Sequence, residues 1–346
     1  MIKRKIKLTF VFLGISVIGF LLMNANPISA GPIELTCNMQ NPERGLLMEI
    51  AQKPWAKEIE TLSNGRVKIV FYWAGGLGNP LQNYDLARKG VTDIGWTFAS
   101  YYPGRFPMTS VMELPFLFDN ALDASRANWE MYEKMLKPEY KDVHLLTLAS
   151  TGPADIWTSK KQVRTFEDLQ GLKIRVAGTM PTMMIKALGA TPVFMHIREV
   201  YEALERGTVD GVFVGRSPMM TFRFHEVVKY GVEVNIFSQT YFYVMNLDKW
   251  NSLPSDIQKI LSEVSGMHHA ELNGKGFDSE KAFVTQKIFP KSGVEVYILP
   301  QAERERWKKA IMPIYDWWVK DLESKGLPGK KLLEEVLRLS DKYSGK

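Results

Sequence analysis

One arginine lies inside a predicted β-strand that is otherwise largely apolar. Arg175 belongs to the run Leu172–Val176, which follows the polar segment Thr165–Gly171. A guanidinium on a strand that faces a core is costly unless an anion meets it, and its planar fork of donors matches a carboxylate. Arg175 is therefore predicted to bind a carboxylate ligand. The alternatives are a half-solvated strand, or an ion pair with an Asp or Glu of the protein itself.

Aromatic side chains are abundant around the predicted strands in both halves of the chain. Most of them must be core residues, because alternation along a strand sends half of its side chains inward. In open α/β sheets, ligands bind beyond the carboxyl ends of the strands, so residues just after a strand are the better candidates. Phe98 and Tyr101 stand at the end of the predicted strand Asp93–Phe98 and are expected to wall a cleft.

Known catalytic and metal-binding patterns do not match the sequence. Gly76–Gly78 begins like a dinucleotide-binding loop, but Leu81 occupies the third glycine position. His268 and His269 are adjacent and would point about 100° apart on a helix, which favours surface positions over shared metal ligation. We therefore expect no cofactor and no metal ion.

An exported enzyme that acts on small organic acids is the alternative from another class, with Asp155 or Glu202 as the acid or base. Glu202 is better explained as a surface residue of the predicted helix Val200–Arg206, and Asp155 as a turn or cleft-edge group. The missing catalytic motifs favour a protein without catalytic activity.

The first 30 residues have the three parts of an export signal. Four basic residues lie within residues 3–7, an apolar run covers residues 8–23, and a small residue, Ala30, ends a plausible cleavage site. The apolar run is shorter than the roughly 20 residues that cross a bilayer, which favours cleavage over a membrane anchor. Residues 1–30 are therefore predicted to be a cleaved signal peptide, and the mature protein to be exported and soluble.

Charge and cysteine content argue against several kinds of partner. Without residues 1–30, the formal net charge falls from +6 to about +2, since four of the 44 basic residues and none of the 38 acidic ones are lost. So small a charge, with no basic run interleaved with aromatic residues, argues against nucleic acid. Cys37, the single cysteine, cannot form an internal disulfide or a metal cluster and is predicted to be a buried core residue.

Apolar, β-rich runs alternate with helical patterns for most of the chain. This alternation predicts an α/β fold of two lobes, in which mixed, largely parallel sheets are flanked by helices. A long helical stretch is predicted to start after residue 254, to reach Phe289 and to span both lobes, with a break at Gly274 or Gly276.

Two amphipathic helices, predicted for Ala302–Ser324 and Leu332–Tyr343, end the chain. They carry Trp307, Trp317 and Trp318, which can pack on the chain's own lobes or on a second copy. Packing on the chain's own lobes is the simpler expectation, so we expect a monomer.

Several motifs, taken in order, resemble the DctP-type solute-binding proteins of tripartite ATP-independent periplasmic (TRAP) transporters. The resemblance extends from about residue 33 to residue 289, nearly the whole predicted mature chain. The runs that carry it are residues 76–79 (GLGN), 87–95 (ARKGVTDIG), 106–108 (FPM), 113–118 (ELPFLF), 167–176 (EDLQGLKIRV), 199–211 (EVYEALERGTVDG) and 245–254 (MNLDKWNSLP).

This resemblance implies a periplasmic receptor whose two α/β lobes close over a small organic acid and deliver it to TRAP membrane permease subunits. Arg175 would grip the carboxylate of the acid, and hinges are expected near Ala149–Pro153 and Phe237–Tyr241. A binding protein of another transporter or sensor class is an alternative with the same fold. The predicted boundaries are 1–30 for the signal peptide, 31–152 plus 241–275 for lobe I, 153–240 plus 276–330 for lobe II, and 331–346 for a C-terminal helix.

Two places depart from the pattern of the family. Ala154 stands where many members carry a second arginine, and residues 212–214 are apolar where the family often has polar groups. Groups that would meet a second carboxylate or a sugar acid are thus missing, although Arg216 or His196 remains available to add polarity. We expect a monocarboxylate with an apolar or aromatic body, bound by Arg175 and packed among the candidate residues Phe98, Tyr101, Trp157, Phe213, Tyr241 and Trp73.

Overall fold

The computed structural model describes residues 31–345, so the predicted signal peptide of residues 1–30 lies outside the described residues. Two β-sheets with flanking helices form two lobes. Sheet A, in lobe I, consists of Ile33–Asn38 (β1), Val67–Tyr72 (β2), Ile94–Phe98 (β3), His144–Ser150 (β4) and Thr240–Met245 (β10). Its strand order is β2-β1-β3-β10-β4.

Sheet B, in lobe II, consists of Asp155–Thr158 (β5), Lys173–Val176 (β6), Thr191–Phe194 (β7), Gly211–Val214 (β8), Tyr230–Glu233 (β9) and Glu295–Ile298 (β11). Its strand order is β11-β9-β5-β8-β6-β7. Both sheets are mixed, because β10 is antiparallel to β3 and β4, and β5 is antiparallel to β8 and β9, while the other pairs are parallel. The predicted two-lobe α/β fold with mixed sheets is confirmed.

Two adjacent segments that carry the chain between the lobes are residues 151–154 after β4 and residues 234–239 after β9. Hydrogen bonds join these crossing segments, since the Ala154 amide donates to the Phe237 carbonyl (2.8 Å) and the Thr151 amide to the Gln239 carbonyl (2.9 Å). The predicted lobe boundaries at 152/153 and 240/241 fall in or next to these segments.

Helices cover the outer faces of both sheets, and no helix of the described chain combines the length and the apolar character needed to cross a bilayer. The α-helices are Lys53–Leu62 (α1), Asn83–Arg88 (α2), Ala121–Met131 (α3), Thr179–Ala187 (α4), Val200–Glu205 (α5), Ser217–Thr221 (α6), Leu247–Ser252 (α7), Ser255–Val264 (α8), Gly266–Phe283 (α9), Phe289–Ser292 (α10), Gln301–Ile311 (α11), Pro313–Ser324 (α12) and Gly329–Ser344 (α13).

The predicted long helical stretch is present, but it breaks at a different place. Ser265 is extended and Gly266 has a φ of 57°, which separates α8 from α9. Gly274 and Gly276, the predicted break points, lie inside α9. A β-carbon on Gly274 would come within 2.5 Å of the Leu122 Cα, so this glycine allows α9 to pack closely on α3. The prediction was wrong because a helical glycine can mark a close contact instead of an end.

Polar side chains hold the α9 stretch to both lobes. Asn273 on α9 accepts a hydrogen bond from Gln52 of lobe I (2.8 Å), inside the core. At the other end, Lys281 donates to Asn235 of a crossing segment (3.1 Å). Arg216 of lobe II donates to Thr285 (2.5 Å), which lies in the π-helical turn just after α9. The predicted spanning of both lobes by this helical stretch is therefore observed.

Two further predictions concern buried residues of lobe I. Cys37 on β1 is a free, buried cysteine, as expected. His269 is also buried, although a surface position was predicted, because it faces sheet A from α9. Its Nδ1 lies 2.9 Å from the Thr147 hydroxyl, and its ring stacks on Trp55 with 4.4 Å between centroids. Burial lowers the pKa of His269 to about 3.

The C-terminal helices pack on the chain's own lobes. The predicted helix Ala302–Ser324 is in fact two helices, because Pro313 has no amide hydrogen to continue the first one. Trp307 and Trp318 are buried, and the Trp318 Nε1 donates to the Ser110 hydroxyl (2.7 Å). Trp317 remains 40% exposed.

Candidate functional site

A cavity lies between the two sheets, next to both crossing segments. The space between its walls, including the open mouth, is about 790 Å³. Both lobes contribute to its walls. The lining includes Gln40, Trp96, Phe98 and Tyr101 from lobe I, Ala154, Arg175, Ala177, Phe213 and Arg216 from lobe II, Phe237 and Gln239 from a crossing segment, and Phe277 and Lys281 from α9.

Arg175 lies on β6, inside sheet B, and lines this cavity although it is only 1% exposed. β6 is flanked by β7 and β8, so the backbone that carries the guanidinium is fixed on both sides. The Nε of Arg175 donates to the Met195 carbonyl (3.0 Å), whereas its Nη2 is buried without a hydrogen-bond partner. Such an unpaired donor is costly in a folded protein unless a ligand completes it.

No acidic side chain among residues 31–345 forms an ion pair with Arg175. On the opposite lobe, the Tyr101 hydroxyl interacts with the guanidinium. Burial lowers the pKa of Arg175 and raises the pKa of Tyr101, because both charged forms are desolvated. The tyrosine therefore contributes a neutral hydroxyl. The alternative that Arg175 is an internal ion pair does not hold within the described chain.

A second buried arginine of the cavity wall has the opposite arrangement. The Arg216 Nε lies 3.4 Å from a carboxylate oxygen of Asp155, and its Nη2 donates to Glu233. The third polar contact of Arg216 is the Thr285 hydroxyl. Because two carboxylates already neutralise Arg216, it is poorly suited to anchor a ligand anion. Arg175 is thus the buried arginine of this cavity whose charge is left for a ligand.

The remaining walls are largely aromatic and aliphatic. Phe98 and Tyr101 come from the end of β3 and pack edge to face, with 5.3 Å between ring centroids. From the other lobe, Phe213 packs against Phe237 at 4.9 Å. Ala154, at the position where many relatives of the predicted family have arginine, also lines the cavity. The arrangement can therefore hold an apolar body next to one anionic group.

Four of the seven candidate residues line the cavity together: Arg175, Phe98, Tyr101 and Phe213. The structure does not bring the other three to its surface. Trp157 is buried inside lobe II, where its Nε1 donates to the Val214 carbonyl (3.0 Å) and its ring packs on Phe289. A strand pattern alone does not say which of two buried faces a side chain joins, so this placement could not be read from the sequence.

Tyr241 and Trp73 are also displaced from the cavity. Tyr241 on β10 is fully buried behind Phe98, at 5.9 Å between ring centroids, and its hydroxyl has no hydrogen-bond partner. Trp73 follows β2 at the edge of sheet A and stacks on Phe71 at 4.8 Å. Trp73 is remote because it follows an edge strand, whereas Tyr241 belongs to a strand near the middle of sheet A and is separated from the cleft by burial of its side chain.

Two further polar residues lie at the site: His196, which the sequence analysis named, and Gln239, which it did not. His196, a candidate for added polarity, is buried at the cleft, and its Nε2 lies 3.4 Å from the Gln40 Oε1 of the other lobe. Gln239 was missed, because nothing in its residue type or spacing distinguishes it from other hinge residues. Its position in a predicted crossing segment was the only available signal.

The acid/base candidates of the enzyme alternative do not face the cavity as free groups. Asp155 is fully buried and accepts hydrogen bonds from the amides of Val234 and Asn235 (2.9 and 3.0 Å). Glu202 lies on the exposed face of α5, 3.2 Å from Arg206. Within residues 31–345, no group of three or more potential metal ligands is assembled.

Two α/β lobes around a cavity, with a buried cation on its wall, define a solute-binding protein. The chain belongs to the DctP family, bacterial extracellular solute-binding protein family 7, whose model matches residues 38–321. This is a family of transporter substrate-binding proteins and not of enzymes, which excludes the enzyme alternative.

Similar proteins are known in sequence and structure. A TRAP solute-binding protein from Rhodoferax ferrireducens T118, in complex with copurified benzoate, is 31% identical with a TM-score of 0.87, covering 90% of this chain and 99% of its own. A TRAP periplasmic solute-binding protein from Bordetella bronchiseptica, with bound (R)- and (S)-mandelate, is 31% identical with a TM-score of 0.84, covering 90% and 99%. The outer membrane transporter protein TsaT from Comamonas testosteroni is 26% identical over 302 residues, 85% of this chain and 87% of TsaT.

Proposed function

We propose that this protein is the periplasmic receptor of a TRAP transporter and that it binds a monocarboxylate with an apolar or aromatic body. The observation that carries the proposal is Arg175, a buried guanidinium without an acidic partner in the described chain, on the wall of an otherwise largely aromatic and aliphatic cavity. The benzoate and mandelate bound by the two similar proteins support an aromatic acid.

The ligand carboxylate meets the guanidinium of Arg175 and supplies the acceptor that its Nη2 lacks. A bidentate contact of this kind is strengthened when closure removes water, because the local dielectric falls. The body of the ligand packs against Phe98 of lobe I, Phe213 of lobe II and Phe237 of a crossing segment. Contacts from both lobes make the closed form the one that binds best, so the ligand shifts the population toward closure.

The proposal extends to the cellular context. Residues 1–30 direct export and are cleaved, the mature receptor is a monomer in the periplasm, and the outer faces of both lobes deliver the acid to the membrane permease. The crossing segments at residues 151–154 and 234–239 act as the hinge. Burial of Trp307 and Trp318 against the chain's own lobes supports the monomer.

Ligand identity is tested by native mass spectrometry of the purified protein and by a thermal-shift panel. We expect a bound acid of unchanged mass, and stabilisation by benzoate, mandelate or branched-chain acids. Stabilisation by succinate or a sialic acid, with none from aryl or branched-chain acids, would overturn the proposed ligand class.

The role of Arg175 is tested with Arg175→Ala and Arg175→Lys in benzoate titrations. Removal of the guanidinium leaves a buried carboxylate unpaired, which costs several kcal/mol and predicts a loss of affinity of at least about 100-fold. Lysine keeps the charge but not the planar fork, so intermediate binding is expected. Arg206→Ala, an exposed arginine of the same lobe, is the matched control and should bind like the wild type.

A further inference from the structure

Beside the cavity, the two lobes make a close contact in which one of the two residues is a glycine. Ser100 follows β3 in lobe I, and Gly178 follows β6 in lobe II, three residues after Arg175. A β-carbon on Gly178 would lie 2.5 Å from the Cβ of Ser100 and 3.2 Å from its carbonyl oxygen. Any larger residue would hold the lobes apart, so glycine is what allows this approach.

A glutamine from the hinge joins the two sides of this contact. The Nε2 of Gln239 donates to the Ser100 hydroxyl (2.7 Å) and to the Ala177 carbonyl (3.2 Å). One acceptor belongs to lobe I and the other to lobe II. The side-chain amide nitrogen has two hydrogens, one for each acceptor. Because the acceptors belong to different lobes, both hydrogen bonds form together only while the lobes are at this separation.

The backbone of Gln239 is fixed independently of its side chain. Its amide donates to the Thr151 hydroxyl (3.0 Å), and its carbonyl accepts from the Thr151 amide (2.9 Å). These bonds lie between the two crossing segments and do not require closed lobes. The side-chain amide is therefore held on the hinge, in the position where closure brings both acceptors to it.

We propose that Gln239 is a positioning residue that stabilises the closed lobes, and that the Ser100–Gly178 contact is the stop at which closure ends. This inference rests on the proposed function, in which the receptor closes over its ligand. Opening the lobes separates Ser100 from Ala177 and breaks at least one of the two hydrogen bonds. The amide thereby favours closure without replacing Arg175 as the anchor of the ligand.

The first test compares wild type with Gln239→Met, which keeps the side-chain length but removes both donors. Small-angle scattering of the ligand-free proteins reports how open the lobes are, and benzoate titrations report affinity. We expect a larger radius of gyration without ligand and an affinity about fivefold to tenfold weaker, the usual effect of one or two hydrogen bonds. Faster benzoate dissociation and an unchanged unfolding temperature are expected as well.

Gln239 also lines the cavity, so Ser100→Ala serves as a second variant that leaves the glutamine in place. If Gln239 acts through its hydrogen bond to Ser100, Ser100→Ala also shows a larger radius of gyration and weaker benzoate binding. The double variant then binds benzoate little more weakly than Gln239→Met alone. Unchanged scattering in both single variants would overturn the inference. A fall in unfolding temperature with unchanged scattering would mean that Gln239 only orders the crossing segment, and would overturn it too.

The stop is tested with Gly178→Ala, and Gly171→Ala is a control for an alanine at a site of positive φ without a close neighbour. Both glycines have positive φ, 117° and 77°, but nothing lies within 4 Å of a β-carbon on Gly171. We expect Gly178→Ala to remain open in scattering with and without benzoate and to bind it at least about 30-fold more weakly. Because Gly178, with φ 117° and ψ −178°, is the more strained site for alanine, Ser100→Gly is combined with Gly178→Ala; this removes the Ser100 Cβ but keeps the strain, and should restore closure. Equal effects of Gly178→Ala and Gly171→Ala, or no recovery in the combined variant, would assign the loss to backbone strain and overturn the contact as the stop.

The two proposals fail in different ways. A wild type that binds no tested acid contradicts the proposed function, while scattering of the ligand-free variants still decides the role of Gln239. A wild type that binds benzoate, together with Gln239→Met and Gly178→Ala proteins that close and bind like it, contradicts only the present inference.

Discussion

The Nε2 of His196, in lobe II, lies 3.4 Å from the Oε1 of Gln40, in lobe I. The imidazole is thus enclosed where the two lobes meet, and its ring centroid lies 5.7 Å from that of Tyr101. Desolvation, with smaller contributions from the charges of Arg175 and Arg198, lowers the pKa of His196 from 6.5 to about 4. The closed form therefore favours the neutral ring.

This relationship predicts a pH dependence of ligand affinity. When the lobes open, His196 regains water and its ordinary pKa near 6.5, so protons bind the open form more readily. Closure is unhindered above pH 6.5 and becomes less favourable as the pH falls from 6.5 toward 4. We expect benzoate affinity to fall roughly tenfold between pH 7 and pH 5, measured by calorimetry. In His196→Gln the same titration should be nearly flat, and an equal slope in both proteins would contradict the role of His196.

The buried Asp155 carboxylate is expected to contribute to the stability of the fold. Asp155→Ala leaves Arg216 with one fewer counterion and the amides of Val234 and Asn235 without their acceptor. Breaking a buried pair of this kind costs about 3–5 kcal/mol of unfolding free energy, which urea denaturation at pH 7 measures. Glu202→Ala, which removes an exposed ion pair, should match the wild type. Equal midpoints for both variants would contradict this prediction.

Phe213 is expected to contact the apolar body of the ligand. Phe213→Ala removes an aromatic wall of the cavity, so benzoate affinity should fall by about tenfold, consistent with the partial loss of a buried aromatic contact. Phe194→Ala, a phenylalanine of the same lobe that is 56% exposed, is the control and should leave affinity unchanged. Calorimetric titration measures both, and undiminished binding by Phe213→Ala would remove this residue from the site.

At Gly274, we expect substitution by alanine to destabilise the protein, the reverse of its usual effect in a helix. Replacing a helical glycine by alanine normally stabilises a helix by about 1 kcal/mol. Here the new β-carbon would lie 2.5 Å from the Leu122 Cα, so Gly274→Ala should lower the free energy of unfolding by about 1–3 kcal/mol. Thermal unfolding checks this against Lys275→Ala, a largely exposed neighbour on the same helix. A more stable Gly274→Ala would show that α3 and α9 can move apart at little cost.

Much of the fold could be predicted from local pattern. Strands and helices alternate visibly in the sequence, and Arg175 is conspicuous because a guanidinium is rare on a core strand. The presence of Arg175, Phe98, Tyr101 and Phe213 on one cavity follows from their positions at or near the ends of strands. The cavity thus brings these four residues together, and their contact with a ligand stays a prediction.

The remaining features depend on contacts between distant segments, which local pattern does not encode. Trp157 and Tyr241 stand on strands buried on both faces, so alternation cannot say which face meets the ligand. The helix break at Ser265 and the close packing of Gly274 on Leu122 depend on tertiary neighbours. The proposed role of Gln239 depends on hydrogen-bond acceptors that lie about 60 and 140 residues away along the chain.

The strand order of sheet A has a consequence for how the molecule is assembled. β10 lies between β3 and β4, yet it is made about 90 residues after β4, once most of sheet B has been synthesised. In a chain that emerges amino terminus first, β3 and β4 therefore lack the strand that pairs with both of them until residue 245 arrives. Truncation after β4 but before β10 leaves an edge of each of these two strands without its partner and lobe I unfinished, so such a chain is a candidate for aggregation and proteolysis.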